Sequence, residues 1–480
     1  MTDVSGIGAT SWWLSEALAS EGEARPAHPL AGEVRSHIAI VGGGFTGLWT
    51  ALSLRRRRPD LTVTLIERDI CGAGASGKNA GKVHGYWTSL PRLARLLGPD
   101  AAWEMARLGQ QAQAAIAAFV ARCGRDVWWA EGGGLKVSAA PAQDAAIDAA
   151  ARAMIALGAA DKAQRLSRAE VASLCRSPVF RTGIRYPEEA TVHPARLARA
   201  LREAAMEAGV RLHERTPMLR LADDDAGGCR IATPEGALTA RHVVLATNVG
   251  QIALSGTSGG AIGRRFMAFS SYALMSEPAP ERLARIGWTS PTSLVDARSF
   301  LHYARRTPDG RVLMGTGSGP IAYGARVETP AMTRDPASFR RAERGLARLF
   351  PVLADTPVAG RWGGAIDVSS DRFPYASLLP GGRVAYALGY SGHGVNPSWI
   401  VGECLASLVL GVKDAFTRSP FCTRTLPALP PEPARYLGGA AIRSAILACE
   451  EAEERGARGP AAARALAALP GLLNLTIGTR

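Results

Sequence analysis

Several things are scarce in this 480-residue chain, and each scarcity removes a class of answer. Aromatic residues are only 6% of it, so the core is aliphatic and Ala-rich, and its basic residues lack the interleaved rings of a nucleic-acid platform. Cys71, Cys123, Cys175, Cys229, Cys404, Cys422 and Cys449 are odd in number, far apart and without a Cys-x-x-Cys pair. They read as reduced thiols of a cytoplasmic protein, not as a disulfide framework. The longest apolar stretch, Trp399 to Val412, is too short to span a bilayer and carries Glu403, so no membrane span is expected. Met1 to Ser11 lacks a basic n-region and an apolar h-region, so no export signal is expected either. Paired carboxylates, a zinc-ligand cluster, a Gly-x-Ser-x-Gly elbow and internal repeats are all missing, which argues against hydrolases and metalloenzymes and predicts no metal site.

What is present describes a folded protein. Hydrophobic residues make up 47%, and the length supports roughly two to three domains that can enclose a cofactor. The net charge is +14, almost all of the basic excess being Arg, with no run longer than Arg55-Arg56-Arg57-Arg58. This reads as a positive surface that attracts acidic small molecules, with no nucleic-acid partner.

Residues 1–35, with Trp12-Trp13, read as an extended lead-in whose indoles pack on the body. His37 to Val41 is a β-branched run suited to a buried central strand. Gly42-Gly43-Gly44-Phe45-Thr46-Gly47 follows, then apolar residues at helical spacing from Leu48 to Arg58, stopped by Pro59, and a second strand from Leu61 to Glu67. This is one βαβ unit. Gly42 and Gly44 let the backbone turn tightly against a pyrophosphate, Gly47 lets helix and strand pack closely, and the helix N-terminus offers free N–H groups. Glu67, at the end of the second strand, is placed to accept hydrogen bonds from a ribose, which disfavours a 2′-phosphate.

Further along, the pattern predicts mostly helix from Pro91 to Leu174, interrupted by a strand and turn at 128–137. A strand at Arg181–Tyr186 precedes an amphipathic helix Pro194–Ala208 closed by Gly209. A meander follows, with strands at Val210–His213, Met218–Ala222, Cys229–Thr233, Leu238–Thr239 and His242–Ala246, divided by turns at 223–228 and 234–236. Runs at Phe269–Ser276 and Val312–Thr316, with a helix Ser338–Leu349, suggest a second sheet. Arg383–Gly389 is again a β run, before Gly392-His393-Gly394 and a helix Trp399–Leu410. The tail beyond Val412 is Pro-rich through Pro433, then Ala-rich and helical. Nucleotide-type elements thus recur in separated pieces, and the domains must be discontinuous.

Ala75-Ser76-Gly77-Lys78-Asn79-Ala80-Gly81-Lys82 supplies a second glycine-rich segment with hydroxyl, amide and cationic donors. NAD is held mainly by one βαβ unit, whereas the ribityl chain and ring of FAD need such additional donors, so flavin is favoured. Here the sequence resembles the FAD-dependent D-amino acid oxidase superfamily, with glycine and sarcosine oxidases, and looks most like its branch of bacterial γ-glutamylputrescine oxidase-like amine oxidases. The resemblance rests on Ile40 to Gly47, Gly74 to Gly81 (usually Arg where Lys78 stands), Ala246-Thr247-Asn248, Arg361-Trp362-Gly363-Gly364 with Asp371-Arg372-Phe373-Pro374, and Gly389 to Val395. It covers about residues 36–412.

The resemblance implies an α/β fold: a discontinuous Rossmann-type FAD-binding domain (36–90, 190–262 and 362–415) with a second α+β substrate domain on a mixed or antiparallel sheet (91–189 and 263–361). Residues 416–480 form a helical extension. Expected FAD contacts are Gly42, Gly44, Phe45, Thr46, Gly47, Glu67, Arg68, Ser76, Lys78, Asn79, Gly81, Lys82, Met218 (by its backbone, to adenine), Thr247, Asn248, Trp362, Gly392, His393, Gly394 and Val395. Sarcosine oxidases carry a flavin-linking Cys where Trp362-Gly363-Gly364 stands, and other relatives a flavin-linking His where Lys78-Asn79 stands, so the FAD is expected to be non-covalent. Leu313 occupies the place of the oxygen-activating Lys of sarcosine oxidases, which weakens the expectation that O2 takes the electrons.

Flavin amine oxidation needs little acid/base machinery, because hydride leaves the carbon beside a neutral amine whose lone pair stabilises the cation. The expected reaction is oxidation of the C–N bond of a small amine or amino acid by an oxidase or dehydrogenase, with O2 or another acceptor; oxidation of a biosynthetic intermediate at a carbon centre and a non-redox flavin-binding role are the alternatives, and the oligomeric state is open. Candidate lining residues are His84, Tyr86, Tyr272, His302, Tyr303, Trp362 and His393, of which His393, Trp362, His84 and Tyr303 are the catalytic candidates; each taken alone reads more readily as a packed core or rim residue, and Trp362 and His393 rank higher because the resemblance places them near the ring. A carboxylate would call for an Arg fork, and Arg298, Arg305 and Arg306 lie in the right domain.

Overall fold

The computed structural model describes residues 10–472, apart from 23, 225–226, 252–261 and 325. Three expectations touch residues outside that range: part of Met1–Ser11, the centre of the 223–228 turn and the last residues of the tail. The expected first helix of the βαβ unit is present as Phe45–Arg57, between strands Ala31–Val41 and Val63–Ile66. Parallel neighbours build outwards from these strands. Arg211–His213 pairs with Val63–Ile66 on one side, and Glu235–Leu245 pairs with Ala31–Val41 on the other.

Because both faces of this sheet are covered, the central run alternates between two apolar cores without a polar face. Ile38 and Ile40 point into the core shared with helices Phe45–Arg57, Pro194–Glu207 and Pro397–Val409. Ala39 and Val41 point into the core with Ile66, Val243, Leu245 and Phe266. Each such fully buried aliphatic side chain stabilises the fold by roughly 1.5–3 kcal/mol.

Two expectations are corrected. The strand Glu235–Leu245 is a single element, not two: its first half pairs with Ala31–Ser36 and the hairpin strand Gly228–Ala232, its second with Val384–Tyr386. Continuous pairing on both sides overrides the break that Ala240-Arg241 suggested. The lead-in is also not simply extended. Trp12–Ser20 is a helix capped by Ser11, and the opening strand begins at Ala31, because its N-terminal half already has a parallel partner from Glu235 onward.

The second sheet runs, in spatial order, Val358–Ser369, Phe266–Ser276, Val312–Thr316, His302–Arg306, Ser293–Asp296, Gly134–Val137, Gly183–Tyr186, Gln164–Leu166. It is antiparallel except where Ser293–Asp296 meets Gly134–Val137 in parallel. Val358–Ser369 straddles the 361/362 boundary drawn from sequence and pairs along its length with Phe266–Ser276, so the chain leaves this sheet only after Ser369. A small third sheet, Lys82–Val83, Ala190–Thr191 and Ala130–Glu131, joins the two bodies. Among the described residues no helix is long and apolar enough to cross a membrane, and the seven cysteines are unbridged.

Candidate active site

The glycine turn after the opening strand is sterically locked. Gly42 has φ +112°, and a Cβ there would stand 2.5 Å from the Ala246 carbonyl oxygen; at Gly47 it would stand 1.9 Å from the Gly42 oxygen. Strand, turn and the Ala246–Asn248 bend therefore meet at backbone contact. The donors around the turn are held by side chains predicted to touch a cofactor. Glu67 Oε2 accepts the Gly43 amide at 2.6 Å, and the first helical amide, Phe45 N, donates to Ser76 Oγ at 2.8 Å. Burial raises the Glu67 pKa, against the lowering effect of the amides of Gly43 and Asp69.

The segment 75–82 closes over this turn. Asn79 donates to Ser76 O (2.8 Å) and accepts from Gly81 N (2.7 Å). Lys78 lies along Gly364, its carbonyl oxygen accepts Trp362 Nε1–H at 2.8 Å, and burial lowers its pKa. Thr46 Oγ1 shares a 2.6 Å hydrogen bond with Tyr390 OH, tying the first helix to the Gly389–Val395 loop.

That loop hangs on a residue absent from the sequence-based candidates. Asp367 Oδ2 accepts the Gly389 amide at 2.6 Å, its carbonyl accepts Ser391 N at 2.8 Å, and burial pushes its pKa up to about 6. A charged residue between Ile366 and Val368 on an apolar strand was the available signal. Beyond the loop, Val395 is buried and the carbonyl of Gly394 accepts Ser398 N.

These residues fit FAD. The crevice has a backbone-lined turn that side chains would fill and a helix start, and the Thr247 Oγ1 and Asn248 Oδ1 atoms are shielded yet have no protein partner. Such orphaned acceptors and donors are what a polar ligand satisfies. Two expected contacts stand apart. Arg68 is exposed and pairs with Glu328. Met218 is half-buried in the core beneath the first sheet, although the neighbouring Thr216 amide bonds the Glu67 carbonyl and brings that segment alongside.

Next to the Gly389–Val395 loop lies a cavity of about 160 Å³, between the two bodies. His84 and His393 both line it and touch edge to face, with ring centroids 5.3 Å apart. Burial holds both imidazoles below their ordinary pKa, His393 well below, reinforced by His84, Arg372, Arg92 and Lys82; both are neutral at pH 7. Arg92 and Arg372 also line the cavity; burial lowers the first to about 10 and the second, aided by Arg92, to about 9. Arg92 stacks its guanidinium 4.2 Å over the Phe373 ring, and its Nε has no hydrogen-bond partner. Lys82 and Lys136 complete the positive lining, with Glu189 paired to Lys82 at 3.4 Å.

The other sequence candidates are engaged elsewhere. Tyr86 lines the cavity, but Tyr272 donates to Ala331 O (2.6 Å) and Tyr303 shares a hydrogen bond with Ser271 Oγ (2.9 Å). Trp362 is buried behind Lys78, with Leu313 in the same apolar cluster. His302 is paired with Asp296 at 2.8 Å. The expected carboxylate clamp is corrected: Arg298 is bound by Glu450 and Glu454, Arg305 donates to backbone oxygens of Gly81 and Val192, and Arg306 to Thr289 O. All three are engaged by internal acceptors; Arg92 and Arg372, which were not among the clamp candidates from sequence, line the cavity. Among the described residues no cluster of metal-binding side chains is found.

Comparison with known proteins agrees with this architecture. The family described as FAD dependent oxidoreductase matches residues 37–408. The chain is 29% identical over 428 residues to the probable oxidoreductase OrdL of Rhizobium meliloti (strain 1021), spanning 88% of this chain and 92% of that one. It is 26% identical to the gamma-glutamylputrescine oxidoreductase of Escherichia coli (strain K12) over 400 residues, 83% of this chain and 89% of that one. The crystal structure of glycine oxidase from Geobacillus kaustophilus superposes with a TM-score of 0.67 at 22% identity, covering 82% of this chain and 100% of that one.

Proposed function

Because the chain belongs to the family of FAD dependent oxidoreductases, we propose that it oxidises the C–N bond of a small amine or amino acid bearing an anionic group, within the cavity beside His393. FAD, bound without a covalent link by the glycine turn, Ser76, Lys78, Asn79 and the 246–248 and 389–395 bends, supplies a two-electron acceptor for a hydride leaving carbon. The observation that carries the substrate reading is the pair of half-buried guanidiniums, Arg92 and Arg372, lining a cavity whose imidazoles are neutral.

A carboxylate entering there meets charge-assisted donors in a desolvated setting. The same positive lining disfavours an ammonium ion, so an amine seated beside His84 and His393 is held as the free base, the form whose lone pair assists C–H cleavage. The apolar walls from Leu135, Val295 and Leu301 exclude water and limit the pose of the substrate carbon. O2 is the proposed final acceptor, and the seven unbridged cysteines accord with a cytoplasmic setting.

The test is anaerobic mixing of the yellow holoprotein with matched amines that differ only in a carboxylate, followed by admission of air. Bleaching by the carboxylate-bearing member alone, with recolouring in air, is the expected result. If no amine bleaches the flavin, amine oxidation is wrong; if both members bleach it equally, the anionic requirement is wrong.

A further inference from the structure

We propose that the N-terminal helix Trp12–Ser20 is a clamp that sets the shape of the cofactor loop 75–81, with Ser11 as its positioning residue. The proposal rests on reading that loop as a FAD contact.

Three carbonyl oxygens of the loop are bound by side chains that converge on this helix. Ser11 Oγ–H donates to Gly77 O at 2.5 Å, across 66 residues of sequence, and Ser11 is fully buried. Trp362 Nε1–H donates to Lys78 O, and Trp362 packs in one apolar cluster with Trp13, Leu14 and Ala17. Arg305 donates to Gly81 O (3.2 Å), while its guanidinium lies 5.3 Å from the centre of the Trp13 ring. The middle and the C-terminal end of the loop are thereby anchored from the side the helix occupies. Ser76, immediately before the first of these anchors, is the residue that receives the Phe45 amide.

The helix is itself fastened as a load carrier needs to be. Trp13 is fully buried, and Gly360 leaves room for Trp12, whose Cβ a side chain there would meet at 3.3 Å. Glu16 reaches His193, the N-cap of the helix Pro194–Glu207, at 2.7 Å and also pairs with Arg196 on that helix, and Glu21 pairs with Arg199 there at 2.9 Å. A segment that merely filled a groove would need the indoles but not a buried hydroxyl aimed at a loop carbonyl. Ser11 also caps its own helix by accepting Leu14 N, so one side chain couples helix start to loop.

The experiment compares the full-length wild type with Ser11→Ala and Ser11→Thr. Apoprotein is titrated with FAD, following flavin fluorescence, and amide exchange of residues 72–82 is read with and without FAD. Loss of one buried hydrogen bond and the cap should raise the FAD Kd about five- to tenfold in Ser11→Ala and speed exchange in the loop. The apoprotein melting temperature should move little, and Ser11→Thr, which keeps the hydroxyl, should restore wild-type binding. Unchanged Kd and exchange in Ser11→Ala overturn the clamp, as does a fall in apoprotein stability that accounts for the whole loss. Failure of the wild type to bind FAD overturns instead the reading of the loop on which the clamp depends.

Discussion

At the scale of single residues, the site is built from positions where one atom more or one charge fewer changes the outcome. Gly47→Ala places a methyl group 1.9 Å from a backbone oxygen that cannot withdraw, since Gly42 is itself pressed on Ala246. The expected result is loss of about 3 kcal/mol of stability and of FAD binding, measured by urea unfolding and flavin titration. Gly74→Ala, in the second glycine-rich segment and with nothing within 4 Å, is the control that should bind FAD normally. Arg92→Met keeps the stacking volume over Phe373 but removes a cation. It should raise KM for an anion-bearing substrate about 10- to 100-fold, the worth of a charged hydrogen bond. Because the Arg92 charge helps hold His393 down, its removal should also shift an acidic limb of the kcat/KM profile to higher pH. An unchanged KM and pH profile would remove Arg92 from the substrate site. The glycine turn, Glu67 and Ser76 could be read from the sequence because their chemistry is local and ordered along the chain. Arg92 and Arg372 could not: among so many arginines, only tertiary packing separates Arg298, Arg305 and Arg306, saturated by internal acceptors, from the two that line the cavity.

At the scale of elements, the βαβ unit was legible because a buried parallel strand, a glycine turn and an amphipathic helix each leave a periodic signature. The opening helix was not, since Trp12–Ser20 is short and owes its place to contacts with distant residues: Glu16 with His193 and Arg196, Trp13 with Arg305. The same contacts make its docking sensitive to pH. His193 is fully buried, and burial drops its pKa from 6.5 to about 4, against the raising effect of Glu16 and with Arg196 and Arg305 acting in the same direction as burial. Its Nδ1 accepts the Arg196 amide, so the neutral ring carries its proton on Nε2, 2.7 Å from Glu16 Oε2. Burial tends to raise Glu16, but hydrogen bonds from His193 and Arg196 bring it down to about 2. An undocked His193 binds a proton that the docked one excludes, so docking is fully stable above about pH 6.5 and weakens as pH falls towards 4. The loss amounts to roughly 3 kcal/mol at the lower end, at 1.36 kcal/mol for each unit of displacement. Glu16 adds its own loss only below about pH 4.5. Limited proteolysis of the N-terminal segment should therefore accelerate between pH 7 and pH 4.5, and His193→Gln should flatten that rise. A rate independent of pH over this interval would count against His193 as the titrating group.

At the scale of the whole molecule, the two sheets exchange chain several times, and no short-range signal marks where one body ends. The 361/362 boundary looked natural because family motifs cluster after it, yet the strand through it pairs along its length with Phe266–Ser276. This interleaving lets a remote element bear on the cofactor loop. The tail helix Ala434–Glu454 places Glu450, 3% exposed, against Arg298, 4% exposed, at 3.1 Å. The other oxygen of Glu450 accepts the amides of Ser299 (2.5 Å) and Phe300 (3.2 Å). That segment feeds the strand His302–Arg306, which carries the Arg305 that holds Gly81. Removing Glu450 leaves the buried Arg298 guanidinium with Glu454 alone of its two carboxylates and takes the Glu450 acceptor from the Phe300 amide, which costs more than the pair contributes when intact. Glu450→Ala should therefore destabilise by about 3–5 kcal/mol, with the 299–306 segment losing amide protection and FAD affinity falling alongside it. The double variant Arg298→Met/Glu450→Leu, which removes both charges and refills the volume, should recover most of the stability. If the single variant unfolds at the wild-type urea midpoint, the tail is a passenger on the second sheet, not a brace for the strand behind the cofactor loop.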